Sequence, residues 1–166
     1  IRSRLVDVVL DGNYQGIYLL CEKIKRDINR VNIANLTPTE ITSPDVTGGY
    51  MLKIDYWDNS NSWQLNYSPI NCPTADVHMV YVDPKAAEIV PQQASYIQNF
   101  FNDFETALYS STFDDPLIGY RKYIDVGSFI DYFLVNEVTR NVDGFKKSRY
   151  FSKDKDLLDG TLTRLK

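Results

Sequence analysis

The chain has 166 residues, 43% of them hydrophobic and 24% charged, which fits one globular domain with a sizeable core. Its net charge of −4 and isoelectric point near 5.0 argue against a general attraction to nucleic acid or to anionic membranes. Two cysteines, Cys21 and Cys72, and one histidine, His78, are too few for a disulfide scaffold, a zinc site or a histidine-based catalytic pair. No apolar run reaches membrane-spanning length.

The first half of the chain, residues 1–83, has the patterns of β-structure. Segments 5–10 and 16–24, rich in Val, Ile, Leu and Tyr, flank the turn-forming stretch DGNYQG and predict a β-hairpin. We expect a polar connector with a short helix at 22–36, then a loop at 37–49. GYMLKIDYWD at 49–58 predicts another strand, and NSNSWQLNYSPINCP at 59–73 a further hairpin or an exposed loop. HMVYVDP predicts a short strand that stops at Pro84.

The second half, residues 91–166, changes to a helical period. Apolar residues recur three or four positions apart after Pro91 and predict an amphipathic helix; they are Ile97, Phe100, Phe101, Phe104 and Leu108. DVGSFIDYFLVNEVTRN at 125–141 predicts a second helix with Asp125 as its N-cap. Its buried face is expected to carry Phe129, Tyr132, Phe133 and Val138. SRYFSKDKD predicts a strand, with GTLTRL at 160–165 as its return strand. Strands first and helices later indicate an α+β fold.

The stretch NVDGFKKSRYF at 141–151 is the candidate functional segment. Glu137 and Asn141 are one helical turn apart and are expected to share a face, and Gly144 is expected to end the helix. Asp143 and Ser148 are five residues apart, the spacing of the catalytic Asp and the metal-binding Asn in protein kinases. The other interpretation is a solvated helix end.

Positive charge follows Asp143 at once, at Lys146, Lys147 and Arg149. Phosphoryl transfer needs a carboxylate for the attacking hydroxyl, an oxygen ligand for magnesium, and positive charge against the phosphoryl group. The segment 141–151 contains all three residue types within eleven positions.

Three stretches together resemble the CotH kinase family, named for a bacterial spore-coat protein and related to atypical secretory protein kinases. VVLDGNYQGIYLLCEKI resembles the family's glycine-containing strand–turn–strand, which ends at Glu22. GGYMLKID resembles the strand after a variable loop, and residues 125–156 resemble the helix and catalytic segment. The resemblance implies a partial protein-kinase-like fold in a single incomplete domain over 1–166. It also implies phosphorylation of proteins that depends on ATP and Mg²⁺.

The resemblance also implies roles for individual residues. Asp143 matches the catalytic Asp, and Ser148 matches a position where many members carry Asn, so Ser148 with Asn141 is the expected metal-binding pair. Glu22 is either structural or near the nucleotide. Lys146, Lys147 and Arg149 are the expected contacts to nucleotide phosphate.

Two features of the family's pattern are missing from this sequence. A Trp-Asp-x-Asp-like metal-binding motif should follow the segment SKDKD, and a nucleotide-anchoring lysine should precede the first hairpin. A sequence that opens without Met in a strand-like pattern indicates a mature product or a fragment. We therefore expect the fragment alone to be inactive, because these groups act as a unit with the catalytic Asp.

Two functions of the parent protein follow. It is either a kinase that phosphorylates Ser or Thr of a secreted, surface or coat protein, or a non-catalytic scaffold with a kinase-like fold. The scaffold hypothesis rests on Ser148 in place of Asn and on the tyrosine-rich, loop-heavy middle of the chain. Exposed aromatic residues there would suit protein or glycan contacts, whereas aromatic residues at strand spacing are more often core; they are Tyr50, Tyr56, Trp57, Trp63 and Tyr67. The family resemblance implies an extracellular, cell-surface or spore-coat location. The partner in both cases is a protein, with no nucleic acid and no membrane span in these residues.

Overall fold

A computed structural model describes residues 2–166 and confirms the α+β class. The α-helices and strands, in chain order, are β1 Ser3–Leu10, β2 Asn13–Cys21, β3 Tyr50–Ile54, β4 Ser62–Gln64, β5 His78–Asp83, α1 Pro91–Leu108, α2 Val126–Thr139 and β6 Arg149–Lys153. Single 3-10 turns lie at Asp45–Thr47 and Tyr120–Lys122. The β-rich half and the helical half therefore follow each other as the sequence predicts, although β6 returns to the sheet.

Strands β1 and β2 form the predicted antiparallel hairpin. Its two-residue turn is Asp11–Gly12, whose φ angles of 50° and 78° are both positive, as the turn type that matches strand twist requires. Gly16, at φ 107°, lies beside the register shift between Val8 and Val9. The Asp-Gly and Gly positions in DGNYQG thus have the backbone roles that their chemistry allows.

The other four strands form an antiparallel sheet in the order β4-β5-β3-β6. Strand β6 pairs with β3 in a regular register, from Tyr50 opposite Lys153 to Ile54 opposite Arg149. The return segment expected at 160–165 forms no strand, but the chain does come back to β6, because Ser152 and Lys166 exchange two main-chain hydrogen bonds of 2.9 and 3.0 Å. Leu165 forms an isolated bridge to Ile124. The pairing of β6 with β3 is one that the local sequence does not reveal.

The short helix expected in the connector at 22–36 is wrong. The segment has a turn at 28–29 and an isolated parallel bridge between Arg26 and Val31. The Asp27 carboxylate accepts a hydrogen bond from the Asn29 amide, and the Asp27 amide donates to the Val31 carbonyl. Such local side-chain bonds offer the backbone an alternative to helix formation.

The core lies between the four-stranded sheet and α1. Its buried residues are Leu36, Tyr50, Leu52, Met79, Ile97, Phe100, Phe101, Ile124 and Leu165. The apolar face predicted for α1 is therefore correct at Ile97, Phe100 and Phe101, whereas Leu108 at the helix end is exposed. His78 is a satisfied core residue, because its ring stacks on Trp57 and its Nδ1 lies 3.1 Å from the Ser62 hydroxyl.

Helix α2 is covered on one side. Phe129 is half-buried and packs against Phe151, at 6.1 Å between ring centroids. Phe133 and Val138, expected on the buried face, are 52% and 82% exposed. At 100° per residue Val138 lies opposite Phe129 on the helix, so one packed face cannot hold both. No helix among residues 2–166 is long and apolar enough to cross a bilayer.

Candidate functional site

The candidate segment begins where α2 ends, and the helix ends earlier than the sequence suggested. Arg140 takes a left-handed conformation at φ 50°, and its amide donates to the carbonyls of Asn136 and Glu137. Asn141 therefore leaves the helix, and it does not share a face with Glu137. Its amide group turns back and donates through Nδ2 to Asn136 Oδ1 over 2.8 Å. The buried partner of Asn141 is Asn136, a residue that the sequence did not single out.

The buried side chain of Asn136 connects helix α2 to the loop that follows it. Its side chain is 4% exposed, and its Nδ2 donates to the Tyr132 carbonyl over 2.8 Å. Gly144 packs directly on it, since a Cβ added there would lie 1.8 Å from Asn136 Oδ1. The Tyr132 hydroxyl donates to the Gly144 carbonyl. Gly144 is thus required for close approach, and the expectation that it ends the helix is wrong.

Asp143 lies at the outer side of this loop. Its residue is exposed, and its main-chain carbonyl accepts hydrogen bonds from the amides of Lys146 and Lys147, over 2.9 and 2.8 Å. Among residues 2–166 no hydrogen bond reaches the Asp143 carboxylate. The turn therefore fixes the backbone of Asp143 and leaves its carboxylate open to another molecule.

Lys147, which follows Asp143 in the same turn, is held by an aromatic side chain. Its Nζ lies 3.8 Å from the centroid of the Tyr56 ring. The contact with Tyr56 raises the pKa of Lys147 above its ordinary value, with further contributions from the Asp143 and Asp55 carboxylates. Lys147 thus stays charged and lies in the field of both carboxylates. Lys146 is exposed.

Ser148 joins the loop to β6 in an uncommon backbone conformation. Its φ is 55°, the left-handed region that Asn enters more readily than Ser. Its hydroxyl lies 3.5 Å from Asp55 Oδ2, at the long end of hydrogen-bonding distance. Asp55 was not among the predicted site residues.

Arg149 is half-buried, whereas Lys146 and Lys147 are exposed. Its guanidinium lines a cavity of about 280 Å³ whose aromatic walls are Phe129, Tyr132, Phe133, Phe145, Tyr150 and Phe151. Burial lowers the pKa of Arg149, and its Nε has no hydrogen-bond partner among the described residues. Arg149 therefore lies in an aromatic cavity and is half-buried, unlike the exposed Lys146 and Lys147.

Glu22 lies directly after the hairpin, as the sequence predicts, but apart from the loop. Its carboxylate pairs with Arg2, at 2.8 Å from Nε, and more loosely with Arg30 at 3.8 Å. The hydrogen bond from the Arg2 amide lowers the pKa of Glu22. These contacts join the start of β1 to the connector after β2.

The residues expected to hold magnesium do not form a metal site by themselves. Mg²⁺ prefers an octahedron of oxygen atoms, usually one or two carboxylates with water and phosphate oxygens. Among residues 2–166 no three His, Cys, Asp or Glu side chains come together. Asn141 donates through Nδ2 to Asn136 Oδ1, and the Ser148 hydroxyl lies 3.5 Å from Asp55 Oδ2. Magnesium binding by Asn141 and Ser148 stays a prediction, and we derive no step through the ion.

The loop at the end of a helix, followed by a strand of an antiparallel sheet, is the arrangement expected of a partial kinase-like fold. The family model described as CotH kinase protein matches residues 1–160. The chain therefore belongs to the CotH kinase family. No curated protein and no solved structure matches the sequence.

Proposed function

We propose that this chain carries the phosphotransfer segment of an atypical protein kinase. The observation that supports the proposal most directly is the Asp143 carboxylate, which is exposed, unengaged and in the field of Lys147. Membership of the CotH kinase family supplies the reaction class. Phosphate would pass from ATP to a Ser or Thr hydroxyl of a secreted, surface or spore-coat protein.

In this reaction the substrate hydroxyl oxygen bonds to the γ-phosphorus of ATP, and the bond from that phosphorus to the bridging oxygen of ADP breaks. Asp143 orients the hydroxyl and accepts its proton. The Lys147 ammonium, held over Tyr56, offsets negative charge on the transferring group. ATP with Mg²⁺ is the cofactor that the family implies, and Lys146 is the second exposed cation beside the loop.

The test is Asp143→Asn in the full-length protein, assayed for transfer of labelled phosphate from ATP in the presence of magnesium. We expect a loss of at least about 100-fold, the order that general acid–base groups contribute, with the fold unchanged by circular dichroism. Asp131→Asn is the matched control, because Asp131 is an exposed carboxylate on α2. Equal phosphate incorporation by both variants would contradict the role of Asp143.

A scaffold without catalysis is the second candidate, supported by the exposed aromatic pair Tyr56 and Trp57, at 77% and 43%. The other aromatic residues support it less: Tyr50 is buried at 0% exposure, and Trp63 packs against the core. Calorimetry of the full-length protein with ATP and magnesium separates the two candidates. Heat of nucleotide binding supports the kinase, and its absence supports the scaffold.

A further inference from the structure

The loop from Asp143 to Ser148 is attached to the sheet by strand register. The pairing of β3 with β6 ends with Ile54 opposite Arg149. Continued by one residue, the same antiparallel register places Asp55 opposite Ser148. The contact between Asp55 Oδ2 and the Ser148 hydroxyl at 3.5 Å follows from this pairing between residues far apart in sequence.

Asp55 is well placed to hold its neighbours. Its side chain is 15% exposed, and its carboxylate accepts from the Tyr56 amide over 2.9 Å and pairs with Lys53 at 3.3 Å. Burial alone would raise the pKa of this carboxyl, but hydrogen bonds from the Tyr56 amide, Lys53 and Ser148 lower it below its usual range. Asp55 is therefore a fixed negative charge at the end of β3.

The next residue, Tyr56, contacts the loop from the same strand end. Its ring is 77% exposed, yet the Lys147 ammonium sits 3.8 Å from the ring centroid. A cation held over an aromatic face is attracted by the negative charge density of the ring. Asp55 and Tyr56 together thus contact Ser148 and Lys147, at the C-terminal end of the turn that Asp143 begins.

We propose that Asp55 and Tyr56 are positioning residues of the phosphotransfer loop, which orient Lys147 and Ser148 relative to Asp143. The inference rests on the function proposed above. Neither residue needs to touch the phosphate or the hydroxyl. Asp55 acts through Ser148 and through its charge on Lys147, and Tyr56 acts through its ring.

The first measurement is catalysis in the full-length protein with Asp55→Asn. We expect kcat to fall by about 10- to 100-fold with little change in KM for the protein substrate, since misplacing catalytic groups by an ångström costs that much. Asp55→Glu, which keeps the charge, should retain an intermediate kcat. Asp58→Asn is the matched control, because Asp58 lies three residues on and bonds within its own loop to Ser60 and Asn61.

The second measurement probes the surroundings of Lys147 in the loop and needs no catalytic activity. Acylation of lysine amines by an activated ester, followed by mass spectrometry, gives the labelling rate of Lys147 relative to Lys146 in the same chain. Asp55→Asn should raise this ratio about twofold, the scale of an exposed charge pair, and Asp58→Asn should leave it unchanged. Tyr56→Leu should raise it also, and this exposed position can be changed without disturbing the core.

The two measurements keep the two proposals apart. A wild-type protein that transfers no phosphate overturns the proposed function, and the labelling ratio then decides whether the loop is anchored as described. A ratio that neither Asp55→Asn nor Tyr56→Leu changes overturns the anchoring. If Asp55→Asn and Tyr56→Leu both keep a normal kcat, the positioning role of Asp55 and Tyr56 is overturned, even where the wild-type protein transfers phosphate.

Discussion

Gly144 lies where the loop after α2 folds back over the helix end, against the buried amide of Asn136. Its φ is not in the left-handed region, so the need for glycine is one of space. Asn136 in turn bonds Asn141 and the Tyr132 carbonyl. Because Gly144 has no side chain, the buried Asn136 side chain can pack against it and connect the helix to the loop.

We predict that Gly144→Ala destabilises the protein by about 1–3 kcal/mol, the usual range when a side chain is forced into a packed interior. A Cβ added at residue 144 would lie 1.8 Å from Asn136 Oδ1. It would displace that oxygen and break the hydrogen bond that Asn141 Nδ2 donates to it. Urea denaturation followed by fluorescence measures the change.

Gly127→Ala is the control for that experiment. Gly127 lies in the first turn of α2, and a Cβ there meets Asp125 Oδ1 at 3.3 Å. Alanine favours helix over glycine by roughly 1 kcal/mol, so this variant should be neutral or more stable. Equal denaturation midpoints for the two variants would contradict the packing described for Gly144.

Helix α2 depends on its N-terminal cap because much of its surface is uncovered. Its exposed apolar residues are Ile130, Phe133, Leu134, Val135 and Val138. Asp125 Oδ1 accepts from the Ser128 amide over 3.1 Å, and the Ser128 hydroxyl donates to the Asp125 carbonyl. With few packing contacts to fix the helix, a larger share of its stability comes from these end bonds.

We predict that Asp125→Ala lowers stability by about 1 kcal/mol, the typical cost of losing an N-cap acceptor. Asp125→Asn, which keeps an acceptor oxygen, should lose less, and Asp131→Ala on the exposed side should lose little. Thermal denaturation of the three variants ranks them. If Asp131→Ala destabilised the protein as much as Asp125→Ala, the negative charge and not the N-cap hydrogen bond would be the source of the stabilisation.

The sequence predicts those helices and strands that local residue patterns determine. Alternation and turn residues located β1, β2, β3 and β5, and three- and four-residue spacing located both helices. Pairing between distant strands has no local pattern, so the sequence did not reveal that β6 returns to β3. Asp55 was missed for the same reason, since it meets Ser148 only through that register. Asp143, Lys146 and Lys147 could be proposed from the sequence because they are close together in it.

Over the whole molecule, polar side chains connect the loop before β3 to the segment after β6. Glu40 pairs with Lys155, and Lys155 also reaches Asp45 at 2.9 Å. The Gln93 side chain of α1 donates to the carbonyls of Thr37 and Glu40. A loop that has no secondary structure over most of its length is therefore ordered by contacts to α1 and to the end of the sheet.

This connection makes stability depend on pH through Glu40. Hydrogen bonds from Lys155 and from the Thr37 amide and hydroxyl lower the pKa of Glu40 from 4.5 to about 2. The folded state therefore holds the ionised form more strongly than the unfolded state. The resulting stabilisation is fully present above about pH 4.5 and is lost as the pH falls toward 2.

We predict that Glu40→Gln lowers the urea midpoint at pH 7 and flattens its dependence on pH, so that the variant and wild-type curves converge as the pH approaches 2. Urea titrations at a series of pH values from 7 to 2 measure both effects. Glu88→Gln is the control, because Glu88 is 54% exposed and its pair with Lys85 is screened by solvent. Parallel curves for wild type and Glu40→Gln would mean that the loop is not held by this carboxylate. The contacts of Gln93 would then have to order it without Glu40.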